Sequence, residues 1–284
     1  MKSSVCRASA FILILFAFII AGCGDAAVHD NEDKYEIFKD ETVIGAFNNK
    51  VYAYYNDMGK CEKNLGELVA LSMMKSAGSA DFAVINAGSL RFRPSLGAEN
   101  DFIGPGAVTK GDVAKFLPFD NPSVSNQSTI SLITLNGSVI KEMFENAFSR
   151  MTAAGGEGTS FGRFLQVPYY IRVYADVTNP VGSRITAIHL RDYTGAITKV
   201  INFNDTSTTY RVAVPTKYIK DTPGYQDFDQ YWDILAKGTN IVDTKIYIYD
   251  AVVDFIKNNS PINIPDGPSC IGLSESDRLL ITHR

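Results

Sequence analysis

Histidine is scarce in this 284-residue sequence, which contains three: His29, His189 and His283. A di-metal phosphatase centre needs several histidines and carboxylates at fixed spacings, because imidazole and carboxylate groups must hold both ions. The three histidines occur singly, without the Asp-x-His or Gly-Asn-His spacings that would place two ligands together. The sequence therefore predicts no metal site and no cofactor in this chain.

Other signatures are also missing. The sequence contains no Walker loop and no G-x-G-x-x-G dinucleotide fingerprint. Its 27 basic and 31 acidic residues are interspersed, and no basic stripe is present that would neutralise a phosphate backbone. We therefore expect no complete catalytic constellation and no nucleic-acid partner. Hydrophobic residues make up 45% of the chain, which is enough apolar side chain for a full core.

Residues 1–22 have the pattern of a secretory signal peptide. Lys2 and Arg7 precede an apolar run from Ala10 to Ala21, which is too short to span a membrane. The run is followed by Gly22 and Cys23, a pattern that resembles the bacterial lipobox. We therefore expect lipidation of Cys23 and an exported lipoprotein, anchored to a membrane on the periplasmic or cell-surface side. An ordinary signal peptide followed by an unmodified cysteine is the alternative.

Residues 23–40 are small, polar and acidic, which predicts a flexible tether. Residues 41–284 contain no second linker and no internal repeat, so they are predicted to form one domain. Cys61 and Cys270 both lie in this domain. In an exported protein two such cysteines can form a disulfide or stay separate, and the sequence leaves both possibilities open.

Strand-like and helix-like segments alternate in this domain without a strict β-α-β rhythm, which predicts an α+β fold with a mixed β-sheet packed against helices. The clearest helix follows a cap at Asn136 or Ser138 and has an apolar stripe from Ile140 to Met151. A second helix is predicted from an Asn64 cap to Gly78, and a last helix over Ile246–Lys257. The predicted extended segments are Thr42–Tyr55, Phe82–Ile85, Ile130–Leu135, Phe164–Tyr174, Arg184–Leu190 and Tyr210–Pro215.

Five segments, from about Glu41 to about Pro265, resemble in order the C-terminal substrate-binding domain of the 5'-nucleotidase / UDP-sugar hydrolase family. They match the family's Glu-x-Asn-Leu-Gly helix start, its Asn-Gly-Gly-x-x-Arg loop, its Pro-Phe-x-Asn turn, its Gly-x-Phe-Leu-Gln-Val strand, and its last strand with the aromatic that follows. The segments are Glu62 to Leu68, Asn86 to Arg91, Pro118 to Asn121, Gly162 to Val167, and Tyr210 to Pro215 followed by Gly224-Tyr225.

The resemblance implies a site that grips the nucleoside part of a substrate. Carried over, the two aromatic rings that sandwich the base are Phe119 and Tyr225, and Asn86 and Arg91 flank the glycine turn beside them. Stacking on such rings stabilises any base, since every base has a π-face. The alternative for both rings is a place on the domain surface. Asn86 can instead cap a helix, and Arg91 can instead face solvent.

Further positions complete the predicted site. Asn121 either bonds the base edge or closes its own turn as an Asx motif. Asp227 and Asp229 are the candidates for the acid that holds the ribose hydroxyls. The arginines that usually precede the family's helix are replaced, and Lys60 keeps one charge without the bidentate fork. We therefore do not carry the family's phosphate recognition over to this chain.

Three functions follow from these observations. The first is a lipoprotein that binds a nucleoside or nucleotide-like molecule, is linked to nucleotide catabolism, and is not catalytic alone. The second is a hydrolase, a 5'-nucleotidase-type phosphomonoesterase that acts with a separate metallophosphatase domain or subunit carrying the family's divalent metal pair. The third is a surface interaction protein on the same scaffold, with loops such as Lys217–Trp232 as its contacts. The discriminating observation is whether Phe119 and Tyr225 meet at one open slot.

Overall fold

The computed structural model describes residues 36–53, 55–90, 102–151, 162–265 and 279–282. Cys23, Arg91 and Cys270 lie outside these residues. The α-helices of the described part are α1 (Tyr55–Met58), α2 (Asn64–Ala77), α3 (Lys110–Phe116), α4 (Gly137–Phe148), α5 (Trp232–Leu235) and α6 (Ile248–Asn259). Short 3-10 helices cover Ile37–Lys39, Ala87–Ser89 and Thr216–Tyr218.

The described strands form five sheets. The strands are β1 (Val43–Phe47), β2 (Val51–Tyr52), β3 (Phe82–Ala83), β4 (Ile85–Asn86), β5 (Phe102–Ile103), β6 (Gly106–Thr109), β7 (Thr129–Asn136), β8 (Leu165–Gln166), β9 (Ile171–Asp176), β10 (Ile185–Arg191), β11 (Ile197–Val200), β12 (Thr209–Pro215), β13 (Thr239–Tyr247) and β14 (Leu279–Thr282). Two sheets have four strands, in the orders β13-β7-β12-β3 and β11-β10-β9-β14, and the pairs β1-β6, β2-β5 and β4-β8 complete the set.

Strand β7 lies inside its sheet, antiparallel to both β12 and β13, while β3 joins β12 in parallel. The sheet is therefore mixed, and the predicted α+β class is confirmed. Residues on β7 and β12 such as Ile133 and Val212 are fully buried, because helices cover this sheet and extend one continuous apolar core. This core fixes the strand ends from which the loops described below emerge.

Helix α4 follows the predicted pattern. The Asn136 side chain accepts a hydrogen bond from the Val139 N–H at 3.1 Å, which makes it the N-cap. The predicted stripe from Ile140 to Phe148 is buried, and Met151 just beyond the helix is buried too. Local capping and helical periodicity are thus sufficient to define this helix.

Helix α2 ends as predicted at Gly78, whose φ is 78° and whose N–H bonds Met74. The prediction that Asn64 caps this helix was wrong, because Lys63 occupies the N-cap position. The Asn64 side chain instead accepts from the Tyr52 N–H and donates to the carbonyls of Lys50 and Ile264. Asn64 therefore joins three segments of the chain.

The strand predictions also differ from the structure in places: the predicted extended segment Thr42–Tyr55 is divided into β1 and β2 and ends in helix α1. Residues 164–174 do not form one strand, because the segment turns after Pro168 and resumes as β9 at Ile171. Strand β13 was not predicted, because its side chains are mostly exposed and Asn240 and Lys245 have positive φ, so no alternation is visible.

Cys61 is buried and disulfide-bonded. Within the described ranges, every helix is too short or too polar to cross a membrane.

Candidate functional site

The turn that carries Phe119 follows directly from helix α3. Thr109 and Asp112 start this helix with a capping box, and the chain turns after the buried Phe116. Asn121 is fully buried in this turn: its amide donates to the Leu117 carbonyl at 2.8 Å, and its Oδ1 accepts from Ser123. The geometry therefore gives Asn121 the turn-closing role, and its predicted bond to a base edge is corrected.

The loop that carries Asn86 packs backbone to backbone against the segment at Gly162. The Gly88 N–H donates to the Gly162 carbonyl at 3.0 Å. A Cβ on residue 88 would lie 2.9 Å from the Gly162 Cα, which real Cβ atoms do not tolerate. Gly88 thus allows a close approach of two chain segments at this place.

Tyr225 is held by the segment that precedes β7. Its hydroxyl donates to the main-chain oxygen of Asn126, and the Asn126 amide donates to the Gly224 carbonyl at 2.9 Å. Burial raises the pKa of the Tyr225 hydroxyl, so the group keeps its proton and stays a donor at neutral pH. The two bonds fix both ends of the residue at the edge of a cavity.

This cavity has a volume of about 510 Å³ and brings together most of the predicted site. Phe119 and Tyr225, which come from different parts of the chain, both line it. The lining also includes the predicted residues Asn86, Asp227 and Asp229, together with Lys217, which sequence reasoning missed.

Two further predicted site residues do not appear in this lining. Lys60 is not among the described residues that line the cavity, and Arg91 lies outside the described part of the chain.

A directional series of hydrogen bonds crosses the cavity wall. The Lys217 ammonium donates to Ser89 Oγ at 2.6 Å, and Ser89 donates to Asn86 Oδ1 at 2.6 Å. The Asn86 amide then donates to the carboxylate of Asp229. Lys217 also lies 2.8 Å from Asp120, which is fully buried. Lys217 follows closely on the end of strand β12, and that position near a strand end was the one sequence signal available for it.

The two candidate acids have different surroundings. Both carboxylate oxygens of Asp227 accept backbone N–H bonds, from Tyr231 at 2.8 Å and from Trp232 at 2.9 Å, so Asp227 anchors the start of helix α5. Burial raises the pKa of Asp229, and the Asn86 bond and nearby Arg163 oppose this shift. Asp229 is therefore the acid better placed to accept a bond from a ligand hydroxyl.

Two buried tyrosines support this side of the site. Tyr218 and Tyr231 stack with their ring centroids 5.1 Å apart, and the Asn86 N–H donates to the Tyr218 hydroxyl at 2.7 Å. Tyr231 donates to the Arg163 carbonyl, and Arg163 donates to Asn146 at 3.1 Å. The Asn86 loop is therefore tied to the core on both its backbone and its side chain.

The described residues contain no group of three or more His, Cys, Asp or Glu side chains able to hold a metal ion. The divalent metal pair that the resemblance implies for the family therefore finds no donor set in this part of the chain, and no chemical step is assigned to it. What the cavity offers is a set of aromatic residues, Phe119, Tyr218, Tyr225 and Phe228, together with the Lys217 ammonium and the Asp229 carboxylate.

Comparisons with known proteins identify the family of this chain. A family model described as 5'-nucleotidase, C-terminal domain matches residues 43–230. The Apyrase of Aedes aegypti is 30% identical over 166 residues, which cover 58% of this chain and 25% of that protein.

Solved structures with the same fold include the 5'-nucleotidase precursor of Thermus thermophilus, with a TM-score of 0.63 and 22% identity over 91% of this chain and 42% of that one. The NAD nucleotidase of Haemophilus influenzae follows, with a TM-score of 0.60 and 18% identity over 90% and 40% of the two chains. This chain spans less than half the length of each of these three relatives. Because the family model matches more than half of the chain, the protein belongs to the 5'-nucleotidase C-terminal domain family.

Proposed function

We propose that this protein binds a nucleoside or a nucleotide-like small molecule in the cavity between Phe119 and Tyr225. The observation that supports this is that both aromatic residues line one cavity. Its volume of about 510 Å³ lies within the range of roughly 300–1,000 Å³ that small-molecule sites occupy. Stacking of a base on an aromatic ring contributes about 1–3 kcal/mol.

The polar groups of the cavity suit the other parts of such a ligand. Asp229 offers a carboxylate oxygen to sugar hydroxyls, which are hydrogen-bond donors. Lys217 offers N–H donors to a carbonyl or ring nitrogen of the base. Both side chains are held in place by Asn86 and Ser89, so little conformational freedom is lost when the ligand binds.

Isothermal titration calorimetry tests the proposal. The purified protein is titrated with adenosine, inosine, AMP and UDP-glucose, with ribose as the control that lacks a base. We expect binding of at least one base-containing ligand and no heat from ribose. Absence of heat from every base-containing ligand at millimolar concentration contradicts the proposal.

We further propose that the protein works outside the cell as a lipoprotein. The basis is the sequence pattern at residues 1–23, with Cys23 as the lipidation site and residues 23–40 as the tether. In that location the cavity meets extracellular or periplasmic nucleosides released by nucleotide catabolism.

A second candidate is hydrolysis together with a separate metallophosphatase domain or subunit. It is favoured by the relatives, which include two nucleotidases and an apyrase whose chains are more than twice as long. Phosphate release from AMP in the presence of Mn²⁺ or Zn²⁺ is measured for the purified chain, alone and mixed with a metallophosphatase domain. We expect background release from the chain alone, and turnover by the chain alone contradicts the assignment of catalysis to another domain.

A further inference from the structure

The Lys217 ammonium is fixed at the cavity surface with one donor to spare. An ammonium group has three N–H donors. Two of them bond Ser89 Oγ at 2.6 Å and Asp120 Oδ2 at 2.8 Å. The lysine also lines the cavity, and the described residues provide no further acceptor for its third N–H.

The position of this ammonium is set by the turn that carries Phe119. Asp120 directly follows Phe119 in the chain, is fully buried, and is itself held by the Ser128 N–H at 2.9 Å. The ion pair therefore links Lys217 to the turn that carries Phe119, and both residues line the same cavity. A base edge that reaches Lys217 meets a group that donates and cannot accept.

The amide that could recognise an adenine from the cavity wall is already engaged. Adenine presents an amino donor and a ring-nitrogen acceptor, and an Asn or Gln amide pairs with both. In Asn86, however, Oδ1 accepts from Ser89 and Nδ2 donates to Asp229. Asn126 and Gln226 also line the cavity, but their side chains are reached by solvent, so water competes for their bonds.

We infer that Lys217 determines base specificity, and that the site prefers purine nucleosides with a carbonyl at C6 over those with an amino group there. The inference rests on the proposed nucleoside binding and names its substrate class. The ring nitrogen N7 is an acceptor in both kinds of base, so the group at C6 distinguishes them, and a carbonyl oxygen there accepts the one spare N–H of the lysine. An amino group at C6 would instead place its N–H donors against those of the Lys217 ammonium.

The first test varies the ligand and needs no variant protein. The affinities of inosine, adenosine and purine riboside, which has only hydrogen at C6, are measured by calorimetry on the purified protein. We expect inosine to bind about 5-fold more tightly than adenosine, and more tightly than purine riboside, at the lower end of the scale for a matched base contact because one N–H takes part. Equal or tighter binding of adenosine overturns the inference.

The second test varies the protein. Lys217→Met alone would leave the buried Asp120 charge without its partner, so the double variant Lys217→Met/Asp120→Asn removes both charges together. We expect this variant to lose the preference for inosine, whereas Lys220→Met, at an exposed lysine of the same segment, should retain it.

The outcomes separate the two proposals. If nucleosides bind but show no preference, or if the double variant keeps the preference, the inference about Lys217 is wrong and nucleoside binding stands. If none of the nucleosides binds, both proposals are wrong.

Discussion

The ammonium of Lys217 lies 2.8 Å from the carboxylate of Asp120, and Asp120 is fully buried beneath it. The pair joins the end of strand β12 to the turn that carries Phe119. Because Asp120 also accepts the Ser128 N–H, the same carboxylate ties the start of β7 to this turn. One buried acid thus positions two of the side chains that line the cavity.

Replacing Asp120 should destabilise the whole domain. Breaking a buried ion pair by removing one partner typically costs about 3–5 kcal/mol, because the other charge is left without compensation. We expect Asp120→Ala to lower the free energy of unfolding by about 3 kcal/mol, measured by urea denaturation. The control is Asp233→Ala, which breaks the exposed pair with Lys220 and should cost less than about 1 kcal/mol. Equal losses for the two variants would contradict the structural role of Asp120.

Removing either aromatic ring should weaken nucleoside binding without affecting the fold. Stacking is worth about 1–3 kcal/mol per base, so Phe119→Ala or Tyr225→Ala should raise the dissociation constant about 5- to 150-fold. Tyr193→Ala is the matched control, because Tyr193 is 80% exposed and does not line the cavity. Unchanged affinity in both ring variants, measured by calorimetry, would remove the proposed site.

Gly66 is expected to be intolerant of any side chain. A Cβ at this position would lie 2.1 Å from Gln166 Oε1. Gln166 cannot move aside, because it is fully buried and bonds Met58, Cys61 and Lys63. We expect Gly66→Ala to lower the unfolding free energy by about 1–3 kcal/mol. Gly104→Ala, where a Cβ meets no atom within 4 Å, should be neutral, and thermal denaturation of both variants compares them.

Nucleoside affinity should depend on the ionisation of Asp229. Burial raises its pKa above the ordinary value of 3.8, while Arg163 and Lys217 favour the charged form and Asp227 opposes it. Only the ionised carboxylate is purely an acceptor, so affinity should fall as the pH drops through this raised pKa. Calorimetry across the acidic range measures this fall, and Asp229→Asn should remove it. A fall that persists in Asp229→Asn would assign the effect to another group.

Cys23 is expected to decide where the protein resides in the cell. If the residue carries lipid, the wild-type protein fractionates with membranes, since acyl chains anchor it there. Cys23→Ser should shift it to the soluble fraction, as seen by immunoblotting of fractionated cells. Ser183→Ala is the control, because this exposed serine belongs to the folded domain and its replacement should leave the fractionation unchanged. A Cys23→Ser protein that stays with membranes would end the lipoprotein proposal.

Local features of the structure were predictable from the sequence. Helix α4 has a side-chain cap at Asn136 and a regular apolar stripe, both of which depend on neighbouring residues only. The α+β class followed from the irregular alternation of strands and helices. The meeting of Phe119 and Tyr225 came from the family resemblance, because no local pattern connects two turns so far apart in the chain.

Long-range polar contacts were not predictable. Asn64 is of a residue type that commonly caps helices and lies at the start of one, yet its side chain bonds residues on two other segments. Lys217 has no neighbour in the sequence that marks it as part of a site, since its partners are Ser89 and Asp120. The contacts of such residues form only when the chain has folded, so hydrophobic periodicity and residue spacing do not reveal them.

The bonds from Lys217 through Ser89 and Asn86 to Asp229 all point the same way, each group donating to the next. Turning over the Asn86 amide would set its nitrogen against the serine hydroxyl and its oxygen against the carboxylate, so the order cannot be reversed. The series therefore begins at a hydrogen-bond donor, the Lys217 ammonium, and ends at an acceptor, the Asp229 carboxylate. A ligand with acceptors at one end and donors at the other could satisfy both groups in one orientation only.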